Sequence, residues 1–313
     1  MTFRFATPAD EEAIIALLRL SLGDGSTEKS VAFWRWKHVH NPFGPSPVLL
    51  AVEDTQVVGV RAFMRWDWAD GTTLHHALRA VDTATHPDYR GRGIFKKLTL
   101  QLVEQCEREG YAFIFNTPNA QSRPGYLKMG WQQLGKVPLR IAPRSPLRIL
   151  RALLRRGATT DQPADVPNAA AFDQVPEWLN EVESPAGRWT TPAAVDFLRW
   201  RYAECPVRDY AVLSGSGAYY LVYYLRRQRV GVELRIVHAT VRQDREADAR
   251  AGLAGLLRRV RPAVVSCAPA SWLPWYFLPA LPLGLVLTFR GLKLAQAVVL
   301  ARWRYTLGDL ELF

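Results

Sequence analysis

The residues best suited to chemistry lie in one short stretch, Pro87–Leu98, which reads PDYRGRGIFKKL. Gly91 and Gly93 flank Arg92, and a run with helical spacing follows directly. Glycine accepts positive φ angles and has no side chain, so a ligand can approach the main chain closely. The first turn of a helix adds unpaired N–H groups and the positive end of the helix dipole. The stretch therefore predicts an anion site, and its basic side chains suit a pyrophosphate.

Two common phosphate-binding patterns do not fit this stretch. The pattern G-x-x-x-x-G-K-[ST] is absent, and the dinucleotide pattern G-x-G-x-x-G breaks because its third glycine would fall on Lys96. The pattern R-x-x-G-x-G/A does fit from Arg90 to Phe95, although Phe95 occupies the last small-residue place. The loop therefore follows neither of the two common phosphate-binding patterns.

The elements around the loop are a strand, a helix and a second strand. The segment TTLHHALRAVDTAT precedes the loop and is typical of a strand, and YAFIF returns as a strand after Gly110. Between them, Ile94–Arg108 predicts a helix because apolar residues recur at every fourth position. This unit is a βαβ crossover, whereas the neighbouring strands look antiparallel, so we expect a mixed sheet.

A second motif establishes a resemblance to a known family. The segment NAQSRPGYLKMGW carries Tyr126, Gly130 and Trp131 in the spacing Y-x-x-x-G-[FW]. Together with the loop, this motif resembles the GNAT superfamily of acyl-CoA-dependent N-acetyltransferases. The resemblance implies that the loop holds the pyrophosphate of coenzyme A and that the strand before it binds the pantetheine arm. It also implies that the tyrosine protonates the departing thiolate.

The resemblance implies acetyl-CoA as the cofactor, with no metal. The cofactor-binding residues expected from the strand and the loop are Thr83, Ala84, Thr85, Arg90, Gly91, Arg92, Gly93, Ile94 and Phe95. Asn116 and Asn119 follow the return strand, where side chains line the cleft, and either of them could bind the pantetheine arm or the substrate. Turn chemistry is the alternative for both, since NTPN is a natural turn.

Two residues are candidates for the catalytic steps. Tyr126 is expected to act as the general acid, with a packed aromatic side chain as the alternative. Asp82 lies on the strand that enters the loop and could accept the amine proton or hold the substrate ammonium; a hydrogen-bonded structural aspartate is the alternative. His75 and His76 are adjacent, so at most one faces the cleft. Arg79 stands where some relatives keep a glutamate or histidine base.

An internal repeat predicts the domain organisation. The segment FWRWKHVHNPFGPSPVL from Phe33 matches FLRWRYAECPVRDYAVL from Phe197, and LRAVD from Leu78 resembles LRIVH from Leu234. We therefore expect an α/β (α+β) fold of two tandem GNAT-like domains, each a mixed, mostly antiparallel twisted sheet flanked by helices. The expected bounds are 1–142 for the catalytic domain, 143–170 for a linker with a short basic helix, and 171–313 for a degenerate second domain. The second copy lacks the glycine loop and has acidic residues in its place.

Composition and charge limit the classes of binding partner and the cellular compartment that we expect. The net charge is +11 and is carried mainly by arginine, which pairs well with phosphate and carboxylate. Without an RNA-binding module we expect no nucleic-acid partner, while the basic helix predicted over 147–156 suits weak contact with an anionic membrane surface. Three cysteines without C-x-x-C spacing fit a reducing compartment, and the N-terminus does not read as a secretory signal, so we expect a cytoplasmic protein.

One apolar stretch raises the question of a membrane span. Trp272–Phe289 contains no charged residue over 18 positions, which is close to spanning length. Prolines at 274, 279 and 282 oppose a continuous helix. The repeat instead predicts the last strands of the second domain here.

These features predict an acetyl-CoA-dependent N-acetyltransferase that acts on a primary amine of a small molecule by direct transfer. A longer acyl donor is one alternative. A regulatory or interaction protein that binds coenzyme A without turnover is the other.

Overall fold

The computed structural model describes residues 1–23, 27–145, 162–163, 175–181, 186–192, 194–215, 217–294 and 298–311. The basic helix expected over 147–156 lies outside the described residues, as does most of the linker expected over 143–170.

The described residues of the first half form seven strands and four helices. The strands are β1 (Thr2–Phe5), β2 (Val48–Glu53), β3 (Gln56–Asp70), β4 (Thr73–Thr85), β5 (Phe113–Asn116), β6 (Gln132–Lys136) and β7 (Arg140–Pro143). The helices are α1 (Glu11–Leu22), α2 (Val31–His38), α3 (Ile94–Arg108) and α4 (Arg123–Lys128). The helix and return strand predicted around the glycine loop are α3 and β5.

The described part of the second half follows a similar order. Its strands are β8 (Gln162–Pro163), β9 (Trp189–Thr190), β10 (Ala211–Gly215), β11 (Tyr219–Gln228), β12 (Gly231–Val241), β13 (Val264–Cys267) and β14 (Val286–Gly291). Its helices are α5 (Val195–Leu198), which continues as a π-helical turn, α6 (Glu246–Val260) and α7 (Leu307–Leu310).

These strands form two mixed sheets flanked by helices, which confirms the predicted fold class. The first sheet has the order β1-β2-β3-β4-β5-β14-β6, with β9 paired to β3. The second has the order β10-β11-β12-β13-β7, with β8 paired to β11. Each sheet contains one parallel pair, β4 with β5 and β12 with β13, and its other neighbours are antiparallel.

The two sheets exchange a strand, so neither sheet is built from one half of the chain alone. β14 comes from the second half and lies between β5 and β6 of the first sheet. β7 comes from the first half and pairs with β13 at the edge of the second sheet. The point at which the chain passes from the first sheet to the second therefore does not coincide with residue 142, the domain boundary expected from the repeat.

The cores explain this arrangement. Helix α3 packs on one face of the first sheet and helix α1 packs on the other through its buried side chains, while α6 covers the second sheet. The largest core combines residues of both halves, including Trp66, Phe115, Trp200 and Tyr220. Burying these aromatic side chains against one another joins the two sheets.

The apolar stretch Trp272–Phe289 contains no helix; it runs through irregular backbone into β14. Within the described residues, every helix is too short or too polar to cross a bilayer.

Candidate active site

The glycine loop lies between β4 and α3 in the conformation that its glycines require. After a single 3-10 turn at Pro87–Tyr89, Gly91 and Gly93 have φ angles of 76° and 74°. A Cβ atom at either position would meet no atom within 4 Å, so backbone conformation and not crowding calls for glycine. Gly93 is the N-cap of α3, and the loop is exposed to solvent.

The main chain of this loop presents a row of unused donors. Among the described residues, no protein atom accepts a hydrogen bond from the amides of Gly91 to Lys96, and the first bond of the helix runs from Lys97 N to Gly93 O at 3.0 Å. Arg90 and Arg92 are held beside the row by main-chain carbonyls, Ser21 O at 3.2 Å and Asp88 O at 3.4 Å. The amides, the helix dipole and the two guanidinium groups fit a doubly phosphorylated ligand.

The parallel pairing of β4 with β5 is short. Their parallel pairing consists of Leu78 with Ile114 and Arg79 with Phe115. β4 continues to Thr85, whereas β5 ends at Asn116. Among the described residues, no strand pairs with the β5-facing edge of β4 beyond Arg79, so its main-chain groups can hydrogen-bond an extended ligand.

The three residues expected on this edge lie where β4 leaves β5. Thr83 donates its hydroxyl to Val60 O at 3.3 Å, Ala84 is buried, and Thr85 O accepts a bond from Ser21 Oγ at 3.0 Å. These contacts fix the position of the strand.

Tyr126 lies on α4, next to the start of α3. Its side chain is buried and meets the rings of Phe95 and Trp131 edge-on, with ring centroids 5.8 Å and 5.2 Å away. Among the described residues, its hydroxyl has no hydrogen-bond partner in the protein. Phe95, which replaces the family's small residue, therefore packs against the expected acid.

Asp82 occupies a bulge in β4 and already has two partners. Its φ is 28°, and the pairing of β3 with β4 shifts register at this point. Lys37 Nζ donates to its carboxylate, and His38 Nε2 lies 2.8 Å from the same oxygen. Burial opposes ionisation of Asp82, but the Lys37 charge and the His38 hydrogen bond outweigh it and hold the pKa well below its usual range. A carboxylate in this state is a weak proton acceptor.

The side-chain oxygens of the two asparagines expected to bind the cofactor accept hydrogen bonds from other protein groups. Asn116 Oδ1 accepts from the hydroxyl of Thr288 on β14. Asn119 Oδ1 accepts from Gln121 N at 3.1 Å and Ser122 N at 2.9 Å, which shapes the turn before α4. The structure thus shows the turn chemistry that was the alternative for Asn119.

Arg79 and the paired histidines have partners of their own. Arg79 is buried and donates to the carbonyls of Asp309 and Leu310 in the C-terminal helix. His75 stacks on the ring of Trp189 at 4.5 Å, and His76 Nδ1 lies 3.1 Å from Asp67. Arg79 therefore holds the C-terminal segment against β4, a role that its sequence position does not indicate.

Sequence reasoning missed two groups near the site. Lys37 and His38 lie in the repeated segment that begins at Phe33, for which the repeat favours a core role, and both bind Asp82 from α2. Arg61 on β3 is fully buried beside Tyr126, with the guanidinium carbon 5.3 Å from the ring centroid. A signal for it existed, because Arg61 is the one charged residue in the apolar run VVGVRAFM.

The described residues include no cluster of three or more histidine, cysteine, aspartate or glutamate side chains that could hold a metal ion.

Comparison with known families gives a match for the first part of the chain. Residues 2–134 match the family model described as an acetyltransferase (GNAT) domain. No curated protein matches the chain.

Solved structures resemble nearly the whole chain. A probable N-acyltransferase of unknown function from Enterococcus faecalis V583 is 12% identical, with a TM-score of 0.63 over 94% of this chain and 73% of that one. A GCN5-related N-acetyltransferase from Anabaena variabilis is 13% identical, with a TM-score of 0.63 over 93% and 73%. Eis1 from Mycobacterium abscessus is 15% identical, with a TM-score of 0.59 over 94% and 74%. At these identities the likeness concerns the fold.

Proposed function

We propose that this protein, whose residues 2–134 match the family model of a GNAT acetyltransferase domain, is an N-acetyltransferase that transfers the acetyl group of acetyl-CoA directly to a primary amine of a small molecule. The free amides from Gly91 to Lys96 at the start of α3 carry the proposal. A row of donors beside an open strand edge suits a ligand with a pyrophosphate at one end and an extended amide-containing arm.

Each part of the site has its own role in the proposed reaction. The loop amides, with Arg90 and Arg92, hold the pyrophosphate, and the free edge of β4 orients the arm along the cleft. This leads the reacting end toward Tyr126, whose hydroxyl gives its proton to the departing thiolate. Orientation of this kind contributes by holding the reacting atoms in a productive geometry.

We propose a structural role for Asp82 in place of the proton-acceptor role that the sequence analysis left open. Its carboxylate stays ionised and is bonded to Lys37 and His38, so we propose that it fixes the bulge of β4 and the end of α2. Removal of the amine proton then falls to solvent water at the open side of the cleft.

We also propose a cytoplasmic location. The three cysteines are free and buried, which fits a reducing compartment.

Ligand binding tests the first step. At about 100 times its dissociation constant, acetyl-CoA should stabilise the fold by about 2.7 kcal/mol, measured as a thermal shift. Replacing Arg90 and Arg92 together with alanine should reduce this shift, whereas Arg108→Ala at the far end of α3 should not. The absence of a shift with any acyl-CoA would contradict the proposal.

Turnover tests the second step. Thiol release across a panel of small amines should identify an acceptor, and Tyr126→Phe should lower kcat by about 10²- to 10⁴-fold. Tyr276→Phe, in the second half of the chain, is the matched control. A preference for longer acyl donors would replace acetyl in the proposal, and binding without thiol release would favour the regulatory alternative.

A further inference from the structure

Arg61 carries a buried charge whose hydrogen-bond donors are unused within the described part of the chain. The residue is 0% exposed, and its Nε, Nη1 and Nη2 atoms find no partner among the described residues. The other deeply buried arginines behave differently: Arg79 and Arg201 donate to carbonyls, and Arg235 to carboxylates. An arginine stays protonated in proteins, and a buried unpaired charge is costly, so this exception requires a reason.

Aromatic rings surround the Arg61 guanidinium. Its central carbon lies 4.7 Å from the ring centroid of Phe63, 5.3 Å from that of Tyr126 and 5.9 Å from that of Phe95. These distances allow cation–π attraction, which offsets part of the cost of burial. Because solvent and salt cannot reach the group, its field at Tyr126 is screened weakly.

We propose that Arg61 is a positioning residue for the acid Tyr126, and that its charge stabilises the tyrosinate formed during acyl transfer. This inference rests on the proposed function. In that step the O–H bond of Tyr126 breaks and an S–H bond forms on the leaving thiolate. The electron pair stays on the phenolate oxygen, and the phenolate later regains a proton from solvent. A fixed cation under the ring favours the charge that appears on it without reorganising in the step.

A purely structural role for Arg61 makes different predictions. Replacing a buried charge with an apolar residue of similar size is often neutral or stabilising. If Arg61 only fills space, Arg61→Met should fold normally and keep its turnover.

The test is a double-mutant cycle of Arg61→Met and Tyr126→Phe in the full chain. We expect Arg61→Met to lower kcat about 10- to 100-fold while KM for acetyl-CoA and the thermal shift stay within twofold. The double variant should be no slower than Tyr126→Phe alone, because the charge acts through the phenol. Arg61→Lys, which keeps the charge, should recover part of kcat. Arg65→Met is the matched control, since Arg65 faces a different tyrosine ring, that of Tyr111, at 5.7 Å; its kcat should not change.

A thioester donor whose thiolate leaves without protonation, such as S-acetyl-4-nitrothiophenol, distinguishes a loss of acid catalysis from other effects of the Arg61 substitution. With this donor, wild type and Arg61→Met should turn over at equal rates. If Arg61→Met does not fold, Arg61→Gln takes its place in the cycle.

Three results would overturn the inference: an unchanged kcat, a loss confined to KM, or losses that multiply with Tyr126→Phe. Wild type that releases no thiol with any amine would remove the proposed function and this inference together. Turnover that is independent of Arg61 would remove the inference alone.

Discussion

Trp36 and Trp200 bond to each other reciprocally: each indole N–H donates to the main-chain carbonyl of the other at 2.7 Å. Their rings stack with centroids 4.9 Å apart and planes inclined by 19°. The two residues are 164 positions apart, which is the offset of the internal repeat. A contact in which i binds j and j binds i in the same way is what a local two-fold axis produces. We infer that the repeated segments meet across such an axis.

This pair should contribute measurably to stability. Trp200→Phe removes one donor and leaves the buried Trp36 carbonyl without it, so we expect a loss of about 1–3 kcal/mol in the free energy of unfolding. Urea unfolding followed by fluorescence measures it. Trp275→Phe is the control, because Trp275 is 93% exposed. Equal stability of both variants would show that the reciprocal bonds contribute nothing.

The exchanged strands should make the two sheets unfold together. Thr288 on β14 is fully buried and bonds to Asn116 on β5, so Thr288→Val leaves a buried amide oxygen unpaired at a cost of about 1–3 kcal/mol. Because β7 and β14 tie the sheets to each other, the loss should appear in one cooperative transition seen by both circular dichroism and fluorescence. Thr73→Val, at an exposed position of β4, serves as the control. Two separate transitions would contradict this prediction.

Buried His238 should make the protein less stable in acid. Burial lowers the pKa of His238 from 6.5 to about 4. Between these values the unfolded state binds the proton and the folded state does not, so the free energy of unfolding falls as pH drops from about 6.5 to about 4. The loss is on the order of 3 kcal/mol and is absent above pH 6.5.

The variant His238→Phe tests this, because it removes the group that titrates. Urea unfolding at several pH values should give a smaller slope between pH 6.5 and pH 4 than in wild type, whatever the absolute stability of the variant. His40→Asn is the control at an exposed position. The same slope in wild type and His238→Phe would assign the acid sensitivity to other groups.

The assignment of Asp82 to structure and not to proton removal can be tested separately. Asp82→Asn leaves the buried Lys37 ammonium without its charge partner, and we expect a loss of about 3–5 kcal/mol in unfolding free energy. Replacing Lys37 with methionine in the same chain should restore much of it, since the unpaired charge is then gone. Turnover of the double variant within about tenfold of wild type would support the structural role, whereas a loss like that of Tyr126→Phe would return Asp82 to the list of catalytic residues.

The sequence by itself determined the local parts of the site. The glycines at 91 and 93, the helix that begins at Ile94 and the strand that returns at Phe113 are set by turn chemistry and apolar periodicity. Such signals act over a few residues, so they can be read without knowing the rest of the fold. The Trp36 and Trp200 segments were also recognised as equivalent, because the repeat preserved the residues that meet.

Only the tertiary structure decided which distant groups meet. Whether β7 and β14 join the first or the second sheet depends on which strands they meet in the folded chain. The sequences of these two segments are compatible with either sheet. The partners of Asp82, 44 and 45 residues away, and of Arg79, 230 and 231 residues away, follow from that assembly. The aromatic surroundings of Arg61 arise in the same way, because α3 and α4 place Phe95 and Tyr126 over β3 only once the sheet is complete.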